Sequence, residues 1–221
     1  MLSNVFRGID IQSLIISLFI VLISITVHEY CHGYAALKMG DHTAESMGRL
    51  SMNPFSHIDP IGALCMVVFH FGWARPVPIN PNNFRDPKKG TVIVSIAGPL
   101  SNICLSLIGV LLYGILLRLK FGLSNITFYS IFFNGFLSQL IVLNLYFAIF
   151  NLIPIPPLDG AKILFAFLPP RIYFKLMKYE RYSFIVLIAL LYLGVIGFVL
   201  GFITSPILDS YNLIINLIAG I

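Results

Sequence analysis

From Thr91 to Leu117 the chain carries no charged side chain, and the same holds from Phe121 to Leu158 and from Tyr182 to Leu208. Between Ile11 and Met39 only Glu29 and Lys38 are charged. Each run exceeds the roughly 20 residues that a helix needs to cross about 30 Å of hydrocarbon. Composition agrees: charged residues make up 10 % of the 221, against about 25 % in soluble proteins, and mean hydropathy is +0.92. Disorder, a collagen-like fibre and an ordinary cytosolic domain are excluded. The runs predict an all-α polytopic membrane protein with about four transmembrane helices, near 11–38, 92–117, 131–153 and 183–204. One membrane domain accounts for residues 1–221, its core about 11–165 and its C-terminal helices about 166–221. The stretch from Pro206 to Ile221 is short for a span and is left open as a fifth segment that crosses, dips or lies flat.

A small strand or re-entrant region is expected between the first two spans. Ile61 to Ala74 is apolar but too short to cross. Residues 48–53 and 75–83 are broken by Asn, Pro and Gly, which suits short strands or extended loops. Basic residues orient the bundle. Lys38, Arg49, Arg75, Arg85, Lys88 and Lys89 follow the first span, and Lys162, Arg171, Lys175, Lys178 and Arg181 follow the third, whereas the turn after the second holds only Arg118 and Lys120. The positive-inside tendency puts the first two groups in the cytoplasm and the N-terminus outside, as expected of a multi-pass cell-membrane protein. No basic n-region precedes the first apolar run, so it reads as retained. The net charge of +5 then describes loops on an anionic bilayer face, not a nucleic-acid site. Cys31, Cys65 and Cys104 are too few and scattered for a disulfide framework or a four-cysteine zinc site.

His28-Glu29-Tyr30-Cys31-His32 lies inside the first span. Residues four apart share a helix face, so two imidazoles can grip one ion with a carboxylate beside it. A charged group in a bilayer-spanning helix costs about 2.5–3.5 kcal/mol on insertion scales, which such a position repays only through function. Packing without metal is the competing reading. Catalytic zinc commonly has three protein ligands and water, so a third is needed. Asp159 is the strongest candidate. It ends a long uncharged run, after Pro154, Pro156 and Pro157 and before Gly160, where irregular backbone can aim it inward. Locally, a helix-capping role for Asp159 before a helix starting near Ala161 is as good. Depth favours the first reading: His28 is about 26 Å along a helix from Ile11, at the cytoplasmic end, and the third span also brings Asp159 there.

These motifs resemble the site-2 protease family of intramembrane zinc metallopeptidases. The likeness rests on His28 to His32 and Asn151 to Gly160. It is supported by Gly48 to Pro54, His57 to Gly62, Phe71 to Pro78 and Ala97 to Asn102, in the family's order, and the short form without a PDZ domain is nearest. The resemblance implies that His28, His32 and Asp159 ligate one Zn2+ per chain, that Glu29 is the general base, and that Asn102 helps hold the substrate or the developing oxyanion. It implies cleavage of transmembrane protein substrates within or near their membrane segments. Residues 46–53 or 75–83 could then pair with an unwound substrate as an added strand. A non-catalytic zinc-binding membrane protein, a metal transporter and a helix-binding scaffold are the alternatives. His42 reads as solvated and Cys31 as an inert buried thiol. His57 and His70 read as packing or hydrogen-bonding residues. Trp73, Tyr173, Tyr179 and Tyr182 read as interface anchors.

Overall fold

The computed structural model describes residues 11–62, 73–120, 125–169 and 180–221. Helix α1 is Ile11–Met39 and α2 is Pro87–Arg118. Helix α3 runs unbroken through Ile126–Tyr129, wider π-type turns over Ser130–Leu137, and Ser138–Asn151. Helix α4 is Asp159–Phe167, α5 is Glu180–Tyr192 and α6 is Val195–Ala219. By length and composition α1, α2, α6 and Thr127–Asn151 of α3 can each cross a membrane.

Helix α2 is the hub and packs against α1, α3, α4 and α6. Its buried positions are mostly small: Gly90, Ser95, Gly98, Ser101, Ser106, Gly109 and Gly114. Lipid offers no hydrophobic drive to associate, so helices in a bilayer gain from close approach along small residues. The Ser106 hydroxyl donates across the interface to the Ile141 carbonyl at 2.7 Å. Val110, Ile141, Leu145, Tyr211 and Ile215 form the apolar cluster shared by α2, α3 and α6. Outward faces show the reverse polarity, with Leu111, Leu112 and Ile115 of α2 and Ile11, Ile15 and Phe19 of α1 exposed. Buried hydroxyls on α1 and α6 bond back along their helices, Ser24 to the Ile20 carbonyl and Thr204 to that of Leu200, both at 2.7 Å. Such a surface suits hydrocarbon and would aggregate in water.

Two expectations need correction. The fourth span does not run over 183–204. The chain turns at Leu193 and Gly194, where Gly194 adopts φ +75°, a left-handed conformation that ends helices and that glycine adopts freely. The long apolar helix is α6, which passes through Pro206 and takes up the segment left open. Because the turn is itself apolar, hydropathy could not mark it. Between α1 and α2 no strand is present among the described residues, only one isolated antiparallel bridge between Ile58 and Ala74. The N–H groups of Arg75, Val77 and Asn80 are engaged within the chain, which argues against strand addition there. Most of the expected re-entrant element Ile61 to Ala74, and His70 with it, lies outside the described residues.

This connection is tied down at Asp41. Its buried carboxylate accepts from the Thr43 N–H (3.1 Å) and hydroxyl, the Asn80 N–H (2.7 Å) and the Asn83 amide (2.8 Å). Burial pushes the Asp41 carboxyl pKa up, but these hydrogen bonds outweigh it and hold the group below the usual carboxylate range. With the folded value below an unfolded value of about 3.9, the stabilisation is present above about pH 4 and is lost as pH falls through the folded value. Thermal unfolding in detergent should therefore show a fall in Tm below about pH 4. Asp41→Asn should lower Tm at pH 7 by roughly 2–8 °C, for a loss of about 1–2 kcal/mol, and flatten that acid limb. An unchanged Tm would show that the knot is not stabilising.

Candidate metal centre

Helix α1 places His28 and His32 one turn apart and buried, with ring centroids 4.5 Å apart and planes at 85°. Their Nε2 atoms stand 2.9 Å from each other. Asp159 Oδ2 lies 3.0 Å from His32 Nε2 and 3.2 Å from His28 Nε2. All three side chains are buried, and this is the one such group of three or more metal-ligating residues among the described residues.

The donor set fits zinc. With bonds of 2.0–2.1 Å, ligand atoms of a tetrahedral site sit about 3.3 Å apart, close to the edges observed. The His32 Nδ1 is 2.7 Å from the Val94 carbonyl, which only accepts, so the ring proton sits on Nδ1 and Nε2 presents a bare lone pair. Two imidazole nitrogens and a carboxylate oxygen at these separations repel one another unless a proton or a metal cation sits among them. His28 Nδ1 is buried without a hydrogen-bond partner.

Neighbouring backbone makes the room. At Gly98 of α2 a Cβ would stand 2.6 Å from His28 Nε2 and closer still to His32 Nε2, so only glycine lets α2 approach the two rings. Asp159 is delivered by the turn that follows α3. It is the first residue of α4, and the preceding Leu158 makes no side-chain cap bond. The helix therefore begins at Asp159, not near Ala161, and this carboxylate serves the histidines instead of a capping role. A Cβ at Gly160 would stand 2.5 Å from the carbonyl carbon of Leu152, so glycine there lets α4 start against the end of α3. The other oxygen, Oδ1, accepts from Lys162 Nζ at 2.9 Å, leaving Oδ2 for the centre.

Glu29 is half-buried beside the trio, and its Oε2 accepts from the Val77 N–H at 2.9 Å. Asn102 is buried on α2, one turn beyond Gly98 on the same face. Its Oδ1 accepts from the Ser101 hydroxyl at 3.3 Å. His57 is buried, with Nε2 2.7 Å from the Ser51 carbonyl, a hydrogen-bonding role as expected. His42 is exposed and pairs with Glu45 at 2.8 Å. Sequence reasoning missed Lys162, Gly98 and the Val77 N–H. The Asp159–Lys162 spacing of three on a helix was the available signal for the first. The other two depend on contacts between distant segments, which no local pattern encodes.

A buried trio that could hold a metal ion, set among helices long and apolar enough to cross a membrane, defines a membrane-integral protein with a candidate metal centre. The chain belongs to peptidase family M50, the site-2 protease family, whose model matches residues 16–196. It is 43 % identical over 169 residues to YwhC of Bacillus subtilis (strain 168), a candidate zinc metalloprotease, covering 76 % of each chain. It is 32 % identical over 176 residues to the candidate zinc metalloprotease Rip2 of Mycolicibacterium smegmatis (strain ATCC 700084 / mc(2)155), covering 77 % of this chain and 64 % of that one. The zinc metalloprotease MJ0392 of Methanocaldococcus jannaschii is 32 % identical over 157 residues, 70 % of this chain but 35 % of its own length. No solved structure matches the chain. The protein is thus a membrane-integral zinc metalloprotease.

Gly98→Ala should abolish zinc retention without unfolding the bundle. Zinc per chain, measured on purified protein, should fall from about one to near zero while the helical circular dichroism is kept. Full zinc content would show that the rings have room to spare.

Proposed function

We propose that this protein is an intramembrane protease that hydrolyses peptide bonds within or near transmembrane segments of other membrane proteins, with Glu29 as general base. His28, His32 and Asp159 hold the zinc, which when bound supplies a Lewis acid and brings the pKa of a bound water towards about 7. The observation that carries the reading is the convergence of His28 and His32 from α1 with Asp159 from α4, with the Glu29 carboxylate next along α1.

Glu29 accepts the proton of the attacking water and returns a proton to the departing amide nitrogen. Asn102, buried on α2 one turn beyond Gly98, donates its amide N–H to the oxyanion that develops on the scissile carbonyl. Lys162 keeps Asp159 turned so that one oxygen faces the histidines. A substrate helix hides its carbonyls in i→i−4 bonds, so the cut bond must be locally unwound, and helix-breaking residues near it should favour cleavage.

The position of the site supports an opening to the cytoplasm of a cell-membrane protein. His28 and His32 lie in the second half of α1, Val94 and Gly98 within the first turns of α2, and Asp159 just past α3. These ends adjoin the loops richer in Lys and Arg, which face the cytoplasm by the positive-inside tendency.

Glu29→Gln is the direct test. Purified protein should keep about one zinc per chain yet lose at least about 100-fold in cleavage of a membrane-embedded reporter, the scale expected for a general base. Undiminished cleavage would remove Glu29 from the mechanism, and zinc flux without any cleavage would favour the transporter alternative.

A further inference from the structure

Residues 74–83 form a strap over α1 beside the metal-ligating trio. Val77 within it is buried and seated over Gly33, where its Cγ1 stands 3.1 Å from the position a Cβ would take. Pro76 and Pro78 flank Val77 and have no N–H, so the Val77 N–H that meets Glu29 is the sole backbone donor of this three-residue stretch. The prolines also confine the backbone to extended conformations. The strap is therefore stiff, and the direction of that N–H is set by what ties its ends.

The Arg75 N–H donates to the His57 carbonyl at 2.8 Å, and a charged side chain adds a tie at each end. Arg49 Nη2 donates to the carbonyls of Arg75 at 3.1 Å and Pro76 at 3.2 Å. Asp41 accepts from the Asn80 N–H and the Asn83 amide at 2.7 and 2.8 Å. The Arg85 N–H, just past the strap, donates to the Met39 carbonyl at 3.0 Å. Glu29 is only half-buried, and without a fixed donor its side chain would sample several rotamers.

We propose that Arg49 and Asp41 are positioning residues for Glu29: by tying the two ends of the strap they hold the Val77 N–H against Oε2 and leave Oε1 to handle protons. This rests on the reading of Glu29 as general base. A small misplacement of a reacting group can cost about 100-fold in rate, so loosening either tie should act on turnover and not on metal or substrate binding.

A mutant cycle tests it on the zinc-loaded protein in liposomes with a membrane-embedded reporter. The variants are Arg49→Ala, Val77→Pro and the pair together, with Glu29→Gln alongside. Each single variant should keep full zinc content and a KM within about twofold, yet lose about ten- to a hundredfold in kcat. The double variant should fall no lower than the worse single one, because both act through the same N–H. Arg49→Lys should recover part of the loss. Asp41→Asn with Val77→Pro repeats the cycle from the other tie, and serves if Arg49→Ala does not fold. If Glu29→Gln is inactive but the single effects multiply, or zinc content or KM carries the loss, the positioning role is overturned while the base stands. If Glu29→Gln cuts normally, both fall.

Discussion

Three electron-pair donors, two imidazole nitrogens and a carboxylate oxygen, are held within 3.2 Å of one another in the buried interior of a helical bundle. In a medium of low dielectric such an arrangement is repulsive unless a proton or a metal cation lies among the donors. The surrounding structure is arranged to keep it. The Val94 carbonyl fixes the His32 ring, Lys162 turns the carboxylate, and Gly98 removes the one side chain that would fill the space. Each restraint comes from a different part of the chain, so the centre exists only when α1, α2 and α4 are docked.

That docking follows from what lipid does and does not do. With no water to drive apolar surfaces together, α2 associates through its small residues and a few hydrogen bonds such as Ser106 to Ile141. The same smallness serves the chemistry, since Gly98 belongs both to the packing face of α2 and to the wall of the metal site. A backbone polar group is tolerated near the bilayer only when it is satisfied within the protein, and in the strap over α1 the N–H groups of Val77, Asn80 and Arg75 go to Glu29, Asp41 and His57. The irregular segment thereby becomes part of the site and not merely a connection past it.

Much of this was legible in the residues. The charge-free runs announced α1, α2 and α3, and the spacing of His28 and His32 put two imidazoles on one face. Asp159 stood out because a carboxylate closing a proline-broken apolar run is costly without a partner, though the local pattern allowed a capping role equally well. Where the reading failed, the missing information was conformational. The turn at Leu193 and Gly194 is as apolar as the helices it joins, so no change of hydropathy marks it. The residues between α1 and α2 carry strand-like composition, but their hydrogen bonds go to side chains on α1 and its flanking loops, which composition cannot specify.

Residue chemistry and spacing alone determined that this chain lives in a membrane, that it is helical, and which two histidines can meet a metal, because charge content and helical periodicity are local properties. Tertiary structure alone decided that one Asp159 oxygen turns towards the histidines, that α2 can come near enough only at Gly98, and that a backbone N–H from Val77 holds Glu29. Those outcomes depend on which segments touch across long stretches of sequence, and contact between distant segments is settled by packing, not by neighbours along the chain.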